Sequence, residues 1–183
     1  MVGSLVAITF GTVFVLVNSG GMHAPWPLAI RVIGLLLAAL LVAGLLLVAR
    51  RRSTATPEPA SGFLDHRYWL IVALEAGALF AGLAVVNGVL HGQAVSVAWV
   101  ALVVGAHFFG LGRIWRMPLY YWLGAAMASF SLAGFLIYAF GGSAAMVGLV
   151  AGVGSGAALY TAVGVAVGDA LLGRMSISPQ RQA

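Results

Sequence analysis

The chain has 183 residues, of which 62% are apolar and only 7% charged, with a formal net charge of +5; a soluble domain carries about 25% charged residues to cover its surface. It contains no Lys and no Cys, which excludes lysine Schiff-base chemistry, Walker-type phosphate loops, disulfides, thiol redox work and iron–sulfur ligation. A mean hydropathy of +1.08 points to a bilayer protein, whose small basic excess reads as membrane orientation rather than nucleic-acid binding.

Apolar runs between short polar breaks predict an all-α polytopic membrane protein. Six transmembrane helices are expected, over roughly residues 2–18, 27–49, 68–90, 94–112, 117–139 and 144–172, each near the ~20 residues that cross ~30 Å of hydrocarbon. They form one bundle domain, 1–173, followed by a flexible tail, 174–183. The first run lacks a basic n-region and a convincing cleavage site, so it reads as a membrane helix and not as a signal peptide. It closes on turn chemistry from Asn18 to Gly21. Helix 2 has no polar side-chain atom from Ile33 to Ala49, which suits a peripheral position against lipid. The stretch RRSTATPEPASG, Arg51 to Gly62, is small, polar and Pro-rich, the composition of a flexible loop.

Helix 3 opens on Tyr68 and Trp69 and carries Glu75; helix 4 carries His107 shortly before Arg113; helix 5 opens on Pro118 with Tyr120, Tyr121 and Trp122. Helix 6 is the longest, so it is expected to tilt, begin late or be interrupted near Gly154-Ser155-Gly156. Its glycines recur at four-residue spacing, Gly148, Gly152 and Gly156, then Gly164 and Gly168. Such spacing stacks small residues on one face and lets a neighbouring backbone approach, which places helix 6 centrally or at a subunit interface.

The arginines set the expected topology. Arg50, Arg51, Arg52 and Arg67 fall between helices 2 and 3, Arg113 and Arg116 between helices 4 and 5, and Arg174 and Arg181 after helix 6; of the nine, only Arg31 is elsewhere. Positive-inside bias assigns that side, and with it both termini, to the cytoplasm. Arg-only, Ala/Gly/Val-rich usage suits the inner membrane of a high-GC bacterium. An internal echo also exists: Asn18 and His23 follow helix 1 as Asn87 and His91 close helix 3. It is compatible with three quasi-repeated helical hairpins.

Ionisable groups in hydrocarbon cost about 2.5–3.5 kcal/mol on insertion scales, so each asks for a cause. Glu75, His107 and Asp169 each fall in the cytoplasmic half of a helix. Read functionally, they are transport or gating candidates: a carboxylate with a His partner in apolar surroundings. Read structurally, Glu75 and His107 staple helices 3 and 4, and Asp169 snorkels or pairs with Arg113 or Arg174. An outer polar rim of Asn18, His23, Asn87, His91 and Gln93 is either an entrance or merely the wet end of the bundle. No HExxH or G-x-S-x-G occurs, and no cofactor or metal site is expected.

The stretch GAHFFGLGRIWRMPLYY, from Gly105 to Tyr121, resembles uncharacterised bacterial multi-pass membrane proteins grouped as a domain of unknown function. The likeness lies in Gly-Ala-His at 105–107, the apolar pair after it, the short basic turn and Tyr120-Tyr121, and it implies a membrane location without an activity. A three-hairpin layout is also similar to small urea and amide channels, but their Trp-rich membrane segments are missing here, so no pore residue is carried over.

The leading expectation is a small channel or transporter for a small solute or ion, proton-linked through Glu75 and His107. The alternative is a non-catalytic membrane subunit docking through the glycine face of helix 6. A third is a haem- or lipid-binding intramembrane protein. The partners these readings imply are the lipid bilayer, a second copy of the chain or a membrane subunit, and no nucleic acid.

Overall fold

The computed structural model describes residues 2–52 and 66–173. Every regular element among them is helical. The helices are α1 (Val2–Asn18), α2 (Trp26–Arg52), α3 (His66–Ala84, continued by a π-helical turn, Val85–Val89), α4 (Ser96–Trp115, entered through a 3-10 turn, Gln93–Val95), α5 (Pro118–Ala139) and α6 (Ala144–Leu171). Five are long and apolar enough to cross a membrane, and α1, at 17 residues, is the shorter one. The Pro-rich stretch from Ser53 to Gly62 and the tail from Arg174 lie outside the described residues.

Local chemistry sets several ends. Pro118 occupies the first turn of α5, where its missing N–H is no loss. The Ser143 hydroxyl accepts the Met146 N–H and caps α6. Arg116 takes a left-handed conformation (φ 51°) and stops α4. α2 runs on through its three terminal arginines to Arg52, further than the apolar run alone suggests, because Arg is a good helix former and its stem reaches water from the last turn.

Packing is organised by glycine. A Cβ placed on Gly156 of α6 would sit 2.8 Å from the Gly11 carbonyl oxygen of α1, and one on Gly11 would sit 3.2 Å from the Gly156 carbonyl oxygen. The same reciprocal contact recurs between α4 and α5, where Gly105 and Gly124 face each other's carbonyl oxygens at 3.2 and 2.8 Å. Lipid tails are as apolar as leucine, so helices in a bilayer associate through close packing and a few hydrogen bonds. Two such bonds lie near these crossings: Thr12 Oγ1 and the Tyr160 hydroxyl are 2.8 Å apart, and Ser131 donates to the Ala98 carbonyl.

The α6 glycines do not all act alike. Gly148 and Gly152 lie under Asn18 of α1, and Gly156 lies under Gly11; Gly164 meets only Leu41 of α2, at 3.8 Å, and Gly168 meets nothing within 4 Å. A four-residue spacing drifts by about 40° per step on a 3.6-residue helix. The π-helical turn at Gly148–Val153 is wider, offsets that drift and keeps the first three glycines on α1. Beyond it α6 is regular, and the stripe rotates away. The irregularity in α6 therefore precedes Gly154-Ser155-Gly156, and the helix runs unbroken through those residues.

α6 is central and packs extensively on both α1 and α5. α1, α2 and α6 enclose Ile8, Val15, Leu45, Tyr160 and Val163. α3 packs on α4, and α4 packs on α5 more extensively than any other pair of helices pack on each other. Phe14, Ala101, Val104, Met127 and Leu159 form a second core cluster drawn from α1, α4, α5 and α6. The periphery is apolar: Leu36 and Leu40 on α2, Leu74 and Phe80 on α3, and Trp122 and Leu136 on α5 are exposed. In water such a surface would be a large unsatisfied patch; in lipid it is at home. The fold is that of a helical membrane protein. Its least buried span is α3, with 6% of its apolar window buried against 17% for α2, so α3 is more peripheral than the wholly apolar helix 2.

Replacing Gly156 with Ala is expected to lower stability by about 1–3 kcal/mol, because the added methyl meets backbone that cannot step aside. Gly168→Ala should be neutral or mildly stabilising, since Ala is favoured over Gly within helices by ~1 kcal/mol. Thermal unfolding in one detergent, followed by circular dichroism, checks both; equal shifts would remove the close approach as the organising contact.

Candidate functional site

α3 and α4 form an antiparallel hairpin whose turn places His91 in a left-handed conformation (φ 50°). Glu75 and His107 are equidistant from His91 along the chain, so an antiparallel pairing sets them level. The structure brings them together, with His107 Nδ1 2.9 Å from Glu75 Oε2. The distance is within ion-pair range, yet buried Nδ1 makes no hydrogen bond of acceptable geometry. The side chains are 20% exposed for Glu75 and 12% for His107. Counted from Tyr68 at ~1.5 Å per residue, Glu75 sits ~10 Å inside the span. Among the described residues, no Arg pairs with it.

The pair lines a cavity of about 260 Å³ between α1, α3 and α4, to which α5 contributes Tyr120 and α6 contributes Leu159. Rings form much of its wall. Tyr68 stacks on Trp115 (6.1 Å between centroids), Trp115 meets Tyr120 (5.4 Å), Tyr120 stacks on Phe108 (5.9 Å), and Phe108 sits edge-on to His107 (5.8 Å). The chain of rings thus runs from α3 across α5 and back to the ion pair. Phe10 of α1 faces it from the other side. A second cavity of about 440 Å³, walled by Leu45, Val48, Leu123 and Val163, shares Phe108, Trp115 and Tyr120 with the first.

The remaining sequence candidates do not join this site. Asp169 is half-buried, lines neither cavity and makes no ion pair with a described residue. The outer rim does not converge. The Asn18 amide donates to the Phe14 carbonyl and packs under Gly152; Asn87, within the π-helical turn of α3, accepts from Ser96; His23, His91 and Gln93 are exposed. The two Asn–His echoes therefore sit in unlike surroundings. Gly148, Gly152 and Gly156 are covered by α1 of the same chain. Among the described residues, no group of three or more His, Asp or Glu could hold a metal ion.

The sequence alone did not single out Phe10, Phe108, Tyr68, Trp115 or Tyr120 as parts of a site. The signal for Phe108 was its place beside His107. Trp69 and Trp122, by contrast, point outward and are well exposed, as an aromatic belt requires. Comparison with known proteins adds no assignment: no protein-family description, curated protein or solved structure matches this chain.

Glu75→Gln and His107→Gln should be strongly non-additive in stability, because each removes the same contact. The coupling expected for side chains in contact is about 0.5–3 kcal/mol. A double-mutant cycle on thermal unfolding in detergent measures it, and simple additivity would mean that the pair exerts no mutual influence.

Proposed function

We propose that the chain is a small multi-pass membrane transporter or channel for a small solute or ion, proton-linked through Glu75 and His107. One observation supports this above the others: a carboxylate inside the bundle, held against a His and paired with no described Arg, faces a cavity that reaches the surface. An ionisable group at that depth carries a cost, and Glu and His side chains are the groups from which intramembrane proton relays are built. In this reading α1 is the sixth span. Its 17 residues match the short end of the ~17–25 that cross a bilayer. The arginines then lie on the cytoplasmic side of a bacterial inner membrane, with both termini there.

A second reading has its own support. α3 is the least buried span and is fastened mainly to α4, so the ion pair is also placed to act as a staple between them. The glycine face of α6 offers less to a docking-subunit reading, since α1 already covers its first half.

Flux measurements in liposomes separate the readings. With the wild-type protein, an imposed pH gradient should dissipate, and Glu75→Gln, compared at equal amounts of folded protein, should slow this by about tenfold or more, equivalent to ~1.4 kcal/mol. Unchanged flux in the variant would remove Glu75 from the mechanism. A wild type without flux, paired with a variant of lowered melting temperature, would leave the staple. Orientation has a separate check: a fluorescent-protein fusion at the C-terminus should fluoresce, and an alkaline phosphatase fusion there should be inactive.

A further inference from the structure

The walls of the Glu75 cavity narrow down what it would hold. We propose, building on the transport reading above, that its occupant is an organic cation with an apolar body, admitted from the inner half of the bilayer through the gap between α1 and α3.

Charge sets the sign. Among the described residues, Glu75 is the one carboxylate lining the cavity, and no Arg lines it. With the neighbouring His107 imidazole neutral, an anion would meet a bare negative charge there, while a cation would meet its counter-charge. A bare inorganic ion fits poorly, because hard cations such as Ca²⁺ ask for about six to eight oxygen ligands and the described walls offer one carboxylate, two phenols, one imidazole and one indole among mostly carbon. A neutral polar solute fits poorly for the same reason, since burying hydroxyls without partners carries a penalty.

The rings select the kind of cation. Tyr68, Trp115, Tyr120 and Phe108 are linked by ring contacts into one wall, with Phe10 opposite. A quaternary or tertiary ammonium within ~6 Å of a ring centroid is attracted by the ring's negative face, the more so when desolvated. Aromatic walls around one carboxylate therefore match an alkylated ammonium better than a strongly hydrated primary ion. The adjoining cavity of about 440 Å³, which shares Phe108, Trp115 and Tyr120 with the first and is otherwise walled mostly by aliphatic side chains, has room for the apolar remainder.

The entrance follows from packing. α1 packs on α2 and α6, and α3 on α4, but α1 and α3 make no extensive contact with each other. Val6 and Phe10, which line the cavity from α1, are half exposed on the apolar perimeter. The opening thus faces the bilayer, where an amphiphilic cation already concentrates. The ammonium could belong to a free amphiphile or to a lipid headgroup, and the chemistry of recognition is the same.

The test uses the purified full chain in an uncharged maltoside detergent, with benzyltrimethylammonium as the probe and calorimetry as the readout. Saturable binding is expected in the wild type, weakened by about tenfold or more in Glu75→Gln and by about three- to tenfold in Phe108→Leu. Val6→Trp, which fills the gap without touching the ion pair, should weaken binding while keeping the melting temperature; it serves where Glu75→Gln does not fold. Neopentylbenzene, the uncharged isostere, and benzenesulfonate should show no Glu75-dependent binding. Added phosphatidylcholine that competes with the probe, where phosphatidylglycerol does not, identifies a headgroup as the occupant; no competition identifies a free cation. Equal probe affinity in wild type, Glu75→Gln and Val6→Trp, or no saturable binding to folded wild type, overturns the proposal. The two readings fail separately: Glu75-dependent proton flux without probe binding leaves transport standing, and probe binding without flux leaves only the ligand class.

Discussion

Backbone against backbone at paired glycines is the contact on which this bundle depends. Gly11 with Gly156, and Gly105 with Gly124, let α1 meet α6 and α4 meet α5 at distances that a methyl group would forbid. In water, burial of the apolar faces would draw the helices together. In hydrocarbon that force is absent, and dispersion at short range has to stand in for it. Each crossing brings side chains into register around it: Thr12 with Tyr160 beside the first, and Phe108 against Tyr120 one turn from the second. The cavity wall is thus a by-product of where the glycines cross, since Phe108, Trp115 and Tyr120 are carried by the two helices that Gly105 and Gly124 hold together.

Much of the fold was legible in the sequence, because a bilayer demands long apolar runs and marks their ends with Arg, Pro and Gly. Helix number and the periodic face of helix 6 are of this kind. The meeting of Glu75 and His107 was also within reach, since the turn around His91 is short and an antiparallel hairpin puts residues equidistant from it at one level. What the one-dimensional pattern hides is rotation. Whether Trp115 turns inward while Trp122 turns outward depends on angles about each axis, and a uniformly apolar helix has no polar face to announce them. The same blindness hid Gly11 and Gly124, which carry no periodic signature of their own. It also hid the π-helical turn, whose local widening decides which α6 glycines stay on α1.

The relative positions of α2 and α3 show the same lesson from another side. Sequence alone placed helix 2 outermost, because it has nothing polar to shield. Yet α2 wedges Leu45 and Val48 against α1 and α6, and Gly44 admits Val167, while α3, which carries an acid, is less buried. An apolar helix can pack anywhere in such a molecule. A helix with one polar residue needs only one neighbour that answers it, and α4 supplies His107.

That asymmetry has a mechanical consequence. The free energy of local opening is lowest where few side chains are buried, and here that element is α3, anchored on one flank through the Trp99 indole over Gly82, the Ile71 side chain over Gly110, and the acid itself. The part of the molecule bearing the carboxylate is therefore the part most easily tilted without disturbing the glycine crossings. A small swing of this single strut would change the surroundings of one charge and leave the other five helices where they are.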